Sequence, residues 1–255
     1  MLFTPLAFIG IDPTRGGKAV SYAALDQDLT PVAQGKGTVK EVVGFLSSMQ
    51  QAVVGLIGPS ALNQNIMVDP ERRTALLVPL SRGRPGDMRV AEYLLNQRGL
   101  PVYRTPSEVD KLPGWMGTSI ELNQRLDQLG YPPQGEATAE GNQRLEVVPE
   151  ICFRAWITGE ILPPNSIFGR LQRQLTLYDM GLNIQDPMAL FQEITRHKVL
   201  HGQVPEEMIA TTAQIQCLAA AFLAWQAKNE PEKVAKEGVN GEGFISLPAV
   251  LLENS

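Results

Sequence analysis

The sequence predicts one mixed α/β domain, in which antiparallel strands open a sheet that continues with parallel strands and is flanked by helices. Three observations predict it. A continuous apolar run from Leu6 to Ile11 stops at Asp12-Pro13, and a β-favouring segment from Ala19 to Leu25 follows a turn built on Gly16 and Gly17. Val42, Val43, Leu46 and Met49 then fall at helical spacing within Val39–Gln51, ahead of a short apolar strand Ala52–Ile57 that ends in Gly58-Pro59. The second half is mostly helical, and no break in composition divides the 255 residues.

In order, the chain reads as a hairpin (Leu6–Ile11, Ala19–Leu25), a third strand around Pro31–Gly37, the helix, and the fourth strand. From Ser60 to Gly86 periodicity fades while Pro, Asn and Arg accumulate, which predicts a long connection. A helix over Met88–Arg98 follows, with Asp87 as N-cap or first-turn acid and Gly99 to close it. Pro101–Tyr103 reads as a short strand, Trp115–Leu129 as a helix ended by Gly130, and Tyr131–Asn142 as a Pro/Gly-rich loop. The region 60–142 is thus a loop-rich insertion within a single domain spanning 1–255. Leu145–Val148 is a strand running into Pro149-Glu150. Helices are expected over Glu150–Thr158, Phe168–Tyr178, Pro187–His201 and about Glu206–Ala227. The remainder, 228–255, is a charged segment followed by an edge strand or docked tail, Gly243–Pro248.

Lys and Arg number 22 against 27 Asp and Glu, a net charge of −5, so the field of the whole molecule repels a nucleic-acid backbone or an anionic membrane. Any polyanion contact must be local. Cys152 and Cys217 each sit among apolar neighbours, which predicts buried free thiols and a reducing compartment. The opening MLFTPLAFIGID lacks the basic region and cleavage site of a signal peptide, and Ile215–Ala227 is shorter than the roughly 20 residues that span a bilayer. A soluble cytoplasmic protein with no membrane partner is the expectation; nothing in the sequence indicates an oligomeric state.

Asp12 is the leading candidate for chemistry. A carboxylate at the carboxyl end of a first strand, before a Gly-rich hairpin, can hold a divalent cation or orient a water, although an Asp-Pro pair at a strand end is also a common turn initiator. Three strands, a helix and a fourth strand, with an acid on the first, is the opening of the ribonuclease H-like fold. Its nucleases use several acids to hold Mg²⁺ or Mn²⁺ around a phosphodiester.

Five ordered segments carry a family resemblance: Ile9-Gly10-Ile11-Asp12 with Gly16-Gly17; Ile57-Gly58-Pro59; Arg84-Pro85-Gly86-Asp87; Glu146-Val147-Val148-Pro149-Glu150; and Gly243–Pro248. Through them the sequence resembles a family of domains of unknown function described as predicted ribonuclease H-like nucleases. The resemblance implies a metal-dependent phosphodiester hydrolase in which Asp12 and Glu146 hold Mg²⁺ or Mn²⁺ and Glu150 completes the catalytic acids. Two departures stand out. Gly58 occupies the place of an Asp, and Thr211–Trp225 carries Gln214 and Gln216 but no carboxylate. An amide brings no charge to a hard cation, so both departures weaken the site.

The window 70–104 holds Arg72, Arg73, Arg82, Arg84, Arg89, Arg98 and Arg104 against only Glu71, Asp87 and Glu92. Arginine forks suit phosphate, so Arg84 and Arg89, with Lys18 and Asp87, form the candidate phosphate-binding set and the local surface for nucleic acid. The bland reading is a solvated segment whose arginines pair with the protein's own acids. His197 and His201 share a helical face with Glu193, but the zinc-protease pattern needs Glu directly after the first His, where Lys198 stands, so they read as helix-end or solvent residues. Two other functions remain open. One is a catalytically inactive ribonuclease H-like protein that binds a ligand, nucleic acid or protein. The other, minor, is an actin- or sugar-kinase-like ATPase, for which the second lobe and second phosphate loop are not visible.

Overall fold

The computed structural model describes residues 6–14, 19–76, 78, 88–135, 141–203 and 205–253. The first half contains β1 (Ala7–Asp12), β2 (Val20–Leu25), β3 (Pro31–Gly37), α1 (Val39–Ser47), β4 (Ala52–Ile57), α2 (Pro70–Ala75), α3 (Val90–Gln97) and α4 (Gly114–Gln128). The second contains β5 (Gln143–Val147), α5 (Pro149–Trp156), α6 (Ile167–Asp179), α7 (Ala189–Glu193), α8 (Arg196–Leu200), α9 (Thr212–Asn229), β6 (Val234–Val239), β7 (Gly243–Pro248) and α10 (Val250–Glu253).

The described strands form one seven-stranded sheet in the order β3-β2-β1-β4-β5-β7-β6. The β1–β2–β3 ladder is antiparallel, β1, β4, β5 and β7 run parallel, and β6 returns antiparallel to β7. The mixed α/β architecture expected from the sequence is therefore present, with helices on both faces. Side chains alternate between the two faces of a strand. On one face Phe8, Val53, Leu145 and Val147 pack on α9 through Cys217, Leu218, Ala221 and Phe222. On the other, Ile9, Ile11, Val54 and Leu56 pack on Val42 and Leu46 of α1 and Leu122 and Leu126 of α4. Gly10 and Gly55 are paired on adjacent strands and let α9 lie directly on the sheet, because a Cβ at either would overlap a backbone carbonyl of α9.

α9 is apolar nearly all round because it is enclosed, between sheet, α5 and α6. The stretch 206–229 is long and apolar enough to cross a membrane by length and composition, with a hydropathy of 1.4, and 67% of that window is buried in the protein. Burial pushes the thiols of Cys152 and Cys217 up, in Cys217 with the help of the nearby Asp12 charge. Both cysteines are free and buried. A thiol that stays protonated and enclosed does not react, so a disulfide reagent is expected to label neither cysteine in native protein and both after unfolding; rapid native labelling would contradict this burial.

The structure corrects several boundaries. Pro101–Tyr103 is irregular rather than a strand. The expected helix Pro187–His201 is two short helices, interrupted at Ile194 and restarted where the Thr195 side chain caps α8. The connection after β4 contains α2, capped by Asp69 with Pro70 at its first turn. The charged segment ends α9 and then forms β6 over Val234–Val239, and that strand, not β7, is the sheet edge; β7 lies inside, between β5 and β6. The N-cap of α3 is Arg89 rather than Asp87.

Candidate functional site

Asp12 ends β1 and is buried. Its Oδ1 accepts from the Thr14 backbone N–H at 2.7 Å and from the Thr14 hydroxyl at 2.5 Å, the geometry of an Asx turn leading out of the strand. The ladder then decides which way it faces. Ile11, Leu56 and Glu146 form one row across β1, β4 and β5, and Gly10, Gly55 and Leu145 form the preceding row. The Gly10 row faces α9, so Asp12, two residues on, faces α9 as well, whereas Glu146 shares the face of Ile11 and Leu56. Asp12 and Glu146 thus lie on opposite faces of the sheet. The parity of the strands does not bring these two acids onto one face.

Glu146 is the centre of a different constellation. Arg89, fully buried at the start of α3, donates through Nη1 to Glu146 Oε2 at 3.0 Å and through Nη2 to Oε1. The Ser60 backbone N–H, just beyond β4, donates to Oε2 at 2.8 Å, and the Tyr103 hydroxyl donates to Oε1 at 2.5 Å. Arg89 Nε reaches Glu92 Oε1 at 2.8 Å, and Glu92 also accepts from the backbone and hydroxyl of Thr105. The remaining reach of Nη1 goes to the Glu242 carbonyl at 2.8 Å. The Glu242 carboxylate accepts from the backbone N–H groups of Val90 and Gln64, each at 2.8 Å, so an acid sits at the amino end of α3 where the helix dipole favours it. Gly243, with φ of +89°, brings the β6–β7 turn against Ser60, where a side chain would collide.

The electrostatics follow from burial. Desolvation by itself would lower the pKa of the Arg89 guanidinium, but Glu146 and Glu92 outweigh it and hold the group well above its ordinary value. Burial, reinforced by the Glu146 charge, pushes the Tyr103 phenol well up, so it remains a donor. The network joins the segment after β4, α3, β5 and the β6–β7 turn, and is a clamp between elements distant in sequence.

The other candidates are dispersed. Glu150, at the first turn of α5, pairs with Arg173 of α6 at 2.7 Å. Lys18, Arg84 and Asp87 lie outside the described residues, as does the Gly16-Gly17 turn. Arg89 is not a surface cation open to phosphate; its fork is taken by internal acceptors. Of its described neighbours, Arg72 and Arg73 donate to the carbonyls of Gln64 and Met67, and Arg98 pairs with Glu237 at 2.6 Å. Of these, Arg89 and Arg98 pair with the protein's own acids, Arg89 in a buried rather than solvated setting, while Arg72 and Arg73 bond backbone carbonyls. His197 and His201 are exposed and stacked at 4.2 Å, and Glu193 belongs to α7, where it pairs with Lys198. Among the described residues, no three His, Cys, Asp or Glu side chains form a set for a metal ion.

Glu92, Tyr103, Thr105 and Glu242 were missed by sequence reasoning. Only Glu92 had a local signal, its position three residues after Arg89 at a helix start, where a glutamate reaches back to the cap. Glu242 and Tyr103 join the cluster through tertiary contacts alone.

No curated protein and no solved structure matches this chain. A family model described as protein of unknown function (DUF429) matches residues 10–236, which include Asp12, Arg89, Glu146 and Glu150. With most of its length matched, the chain belongs to that family.

Proposed function

We propose that this protein is a ribonuclease H-like binding module, taking a ligand or a protein partner, rather than a metal-dependent phosphodiester hydrolase. The order β3-β2-β1-β4-β5, antiparallel and then parallel, supports the ribonuclease H-like reading. One observation carries the functional part. Each oxygen of Glu146 already accepts two hydrogen bonds, from Arg89 and Ser60 on one side and from Arg89 and Tyr103 on the other. A carboxylate offers about four acceptor positions, and all are filled. Mg²⁺ and Mn²⁺ need such lone pairs from several converging oxygens. Asp12 and Glu146 do not fit a shared cation, because they face opposite sides of the sheet and Glu146 has nothing left to offer. Among the described arginines of the window, the internal engagement of Arg72, Arg73, Arg89 and Arg98 also favours this reading over a nucleic-acid surface.

The test is calorimetric titration of Mg²⁺ and Mn²⁺ into chelator-treated protein, alongside Asp12→Asn and Glu146→Gln, with cleavage assays on single- and double-stranded substrates. The expected result is no stoichiometric site that depends on both acids, and no metal-dependent cleavage. A one-to-one site weakened by both substitutions, with cleavage lost in both, would overturn the proposal.

A further inference from the structure

Beyond the clamp, a cleft of about 340 Å³ opens where the carboxyl end of α9 meets the outer end of β7. Its walls include Trp156, Met180, Pro248 and Val250, with Glu232 and Lys233 among its polar residues. Trp156 is braced edge-on by Phe153 and Phe222, at 5.7 and 5.4 Å between ring centroids, so this wall exists before anything binds. Gln226 also lines the cleft and is only 5% exposed. Its Nε2 donates to Glu230 at 3.4 Å, which orients the amide, and its Oε1 is buried without a hydrogen-bond partner.

An unsatisfied buried acceptor costs about 1–3 kcal/mol. Ligand sites are mostly apolar walls with a few placed polar groups, and apolar cavities of about 150 Å³ already take up benzene. We infer that this cleft binds a small flat apolar molecule carrying one N–H or O–H, whose donor satisfies Gln226 Oε1. The inference rests on the binding-module reading and names its ligand class. The terminal amide torsion of Gln is soft, so Oε1 reaches the ligand by a turn of the amide made at the expense of its 3.4 Å contact with Glu230. Lys233 is paired with Glu230 at 2.8 Å, and the carboxylates of Glu232 and Glu253 also line the cleft, which disfavours an anionic ligand and suits a neutral donor.

Phenol and toluene are near-isosteric probes that differ in the donor. Titration of each into the whole protein, followed by calorimetry and ligand-detected NMR, is expected to show phenol binding about tenfold tighter, the effect of one hydrogen bond of about 1.4 kcal/mol. Gln226→Met keeps the volume and should bring the two affinities together while toluene still binds. Val250→Glu, at an exposed rim position, should weaken both without threatening the fold. Equal affinity for the two probes in the unaltered protein, an undiminished phenol preference in Gln226→Met, or no binding of either would overturn the inference. Metal-dependent cleavage would instead overturn the binding-module reading, and it is scored in a separate assay.

Discussion

Arg89→Met is expected to destabilise the protein by about 3–5 kcal/mol, because it leaves Glu92 and Glu146 buried without their counter-charge. Domains are typically stable by only about 5–15 kcal/mol, so this one substitution removes a large share of the total. Equilibrium urea denaturation measures it, and Arg98→Ala is the control. The Arg98–Glu237 pair is partly exposed, and such pairs contribute at most about 1 kcal/mol. A cost for Arg89→Met no larger than for Arg98→Ala would contradict a structural clamp. Combining Arg89→Met with Glu146→Gln should cost less than the sum of the two single changes, since each alone strands a partner that the double variant removes. Amide hydrogen exchange resolved by segment on the same samples would show whether β7 and α3, which the clamp joins, lose protection together.

Gly10→Ala is expected to cost roughly 3 kcal/mol, at the upper end of overpacking effects, because the added methyl meets the backbone of α9 rather than a side chain that can turn away. Relief requires the whole helix to lift from β1 and β4. Gly55→Ala, one strand over, pushes on the same helix, so the two substitutions together should cost less than their sum once α9 has moved. Gly44→Ala is the opposite case. It lies on the exposed side of α1 with open space around the new methyl, and should stabilise by about 0.5–1 kcal/mol. Thermal and urea denaturation of the three variants test the ordering, and a Gly10→Ala variant as stable as the parent would contradict the close approach of α9.

The strands and helices with strong local patterns were legible in the sequence. β1 and β4 appear within a residue of their expected limits, since continuous apolar runs ended by Asp-Pro or Gly-Pro leave little choice, and β3 matches its expected range without such a run. β6 was not legible, because Val234–Val239 is a half-polar edge strand whose residues alternate too weakly to stand out. The division of α7 from α8 was equally hidden, since Thr195 continues a helical pattern in sequence while its side chain ends it in space.

For the candidate site the division has a plain physical basis. The sequence by itself determined that Asp12 would end a first strand and Glu146 would lie on a later one, because apolar periodicity and turn residues are local properties. Which face each acid takes depends on how β1, β4 and β5 align, and a one-residue difference in alignment reverses every side chain. That alignment, and the meeting of Arg89 with Glu146, Tyr103 and Glu242, were decided only by tertiary structure. Hydrogen-bond partners up to 153 residues apart leave no mark in local sequence, and they turn an arginine suited to phosphate into the buried centre of a clamp.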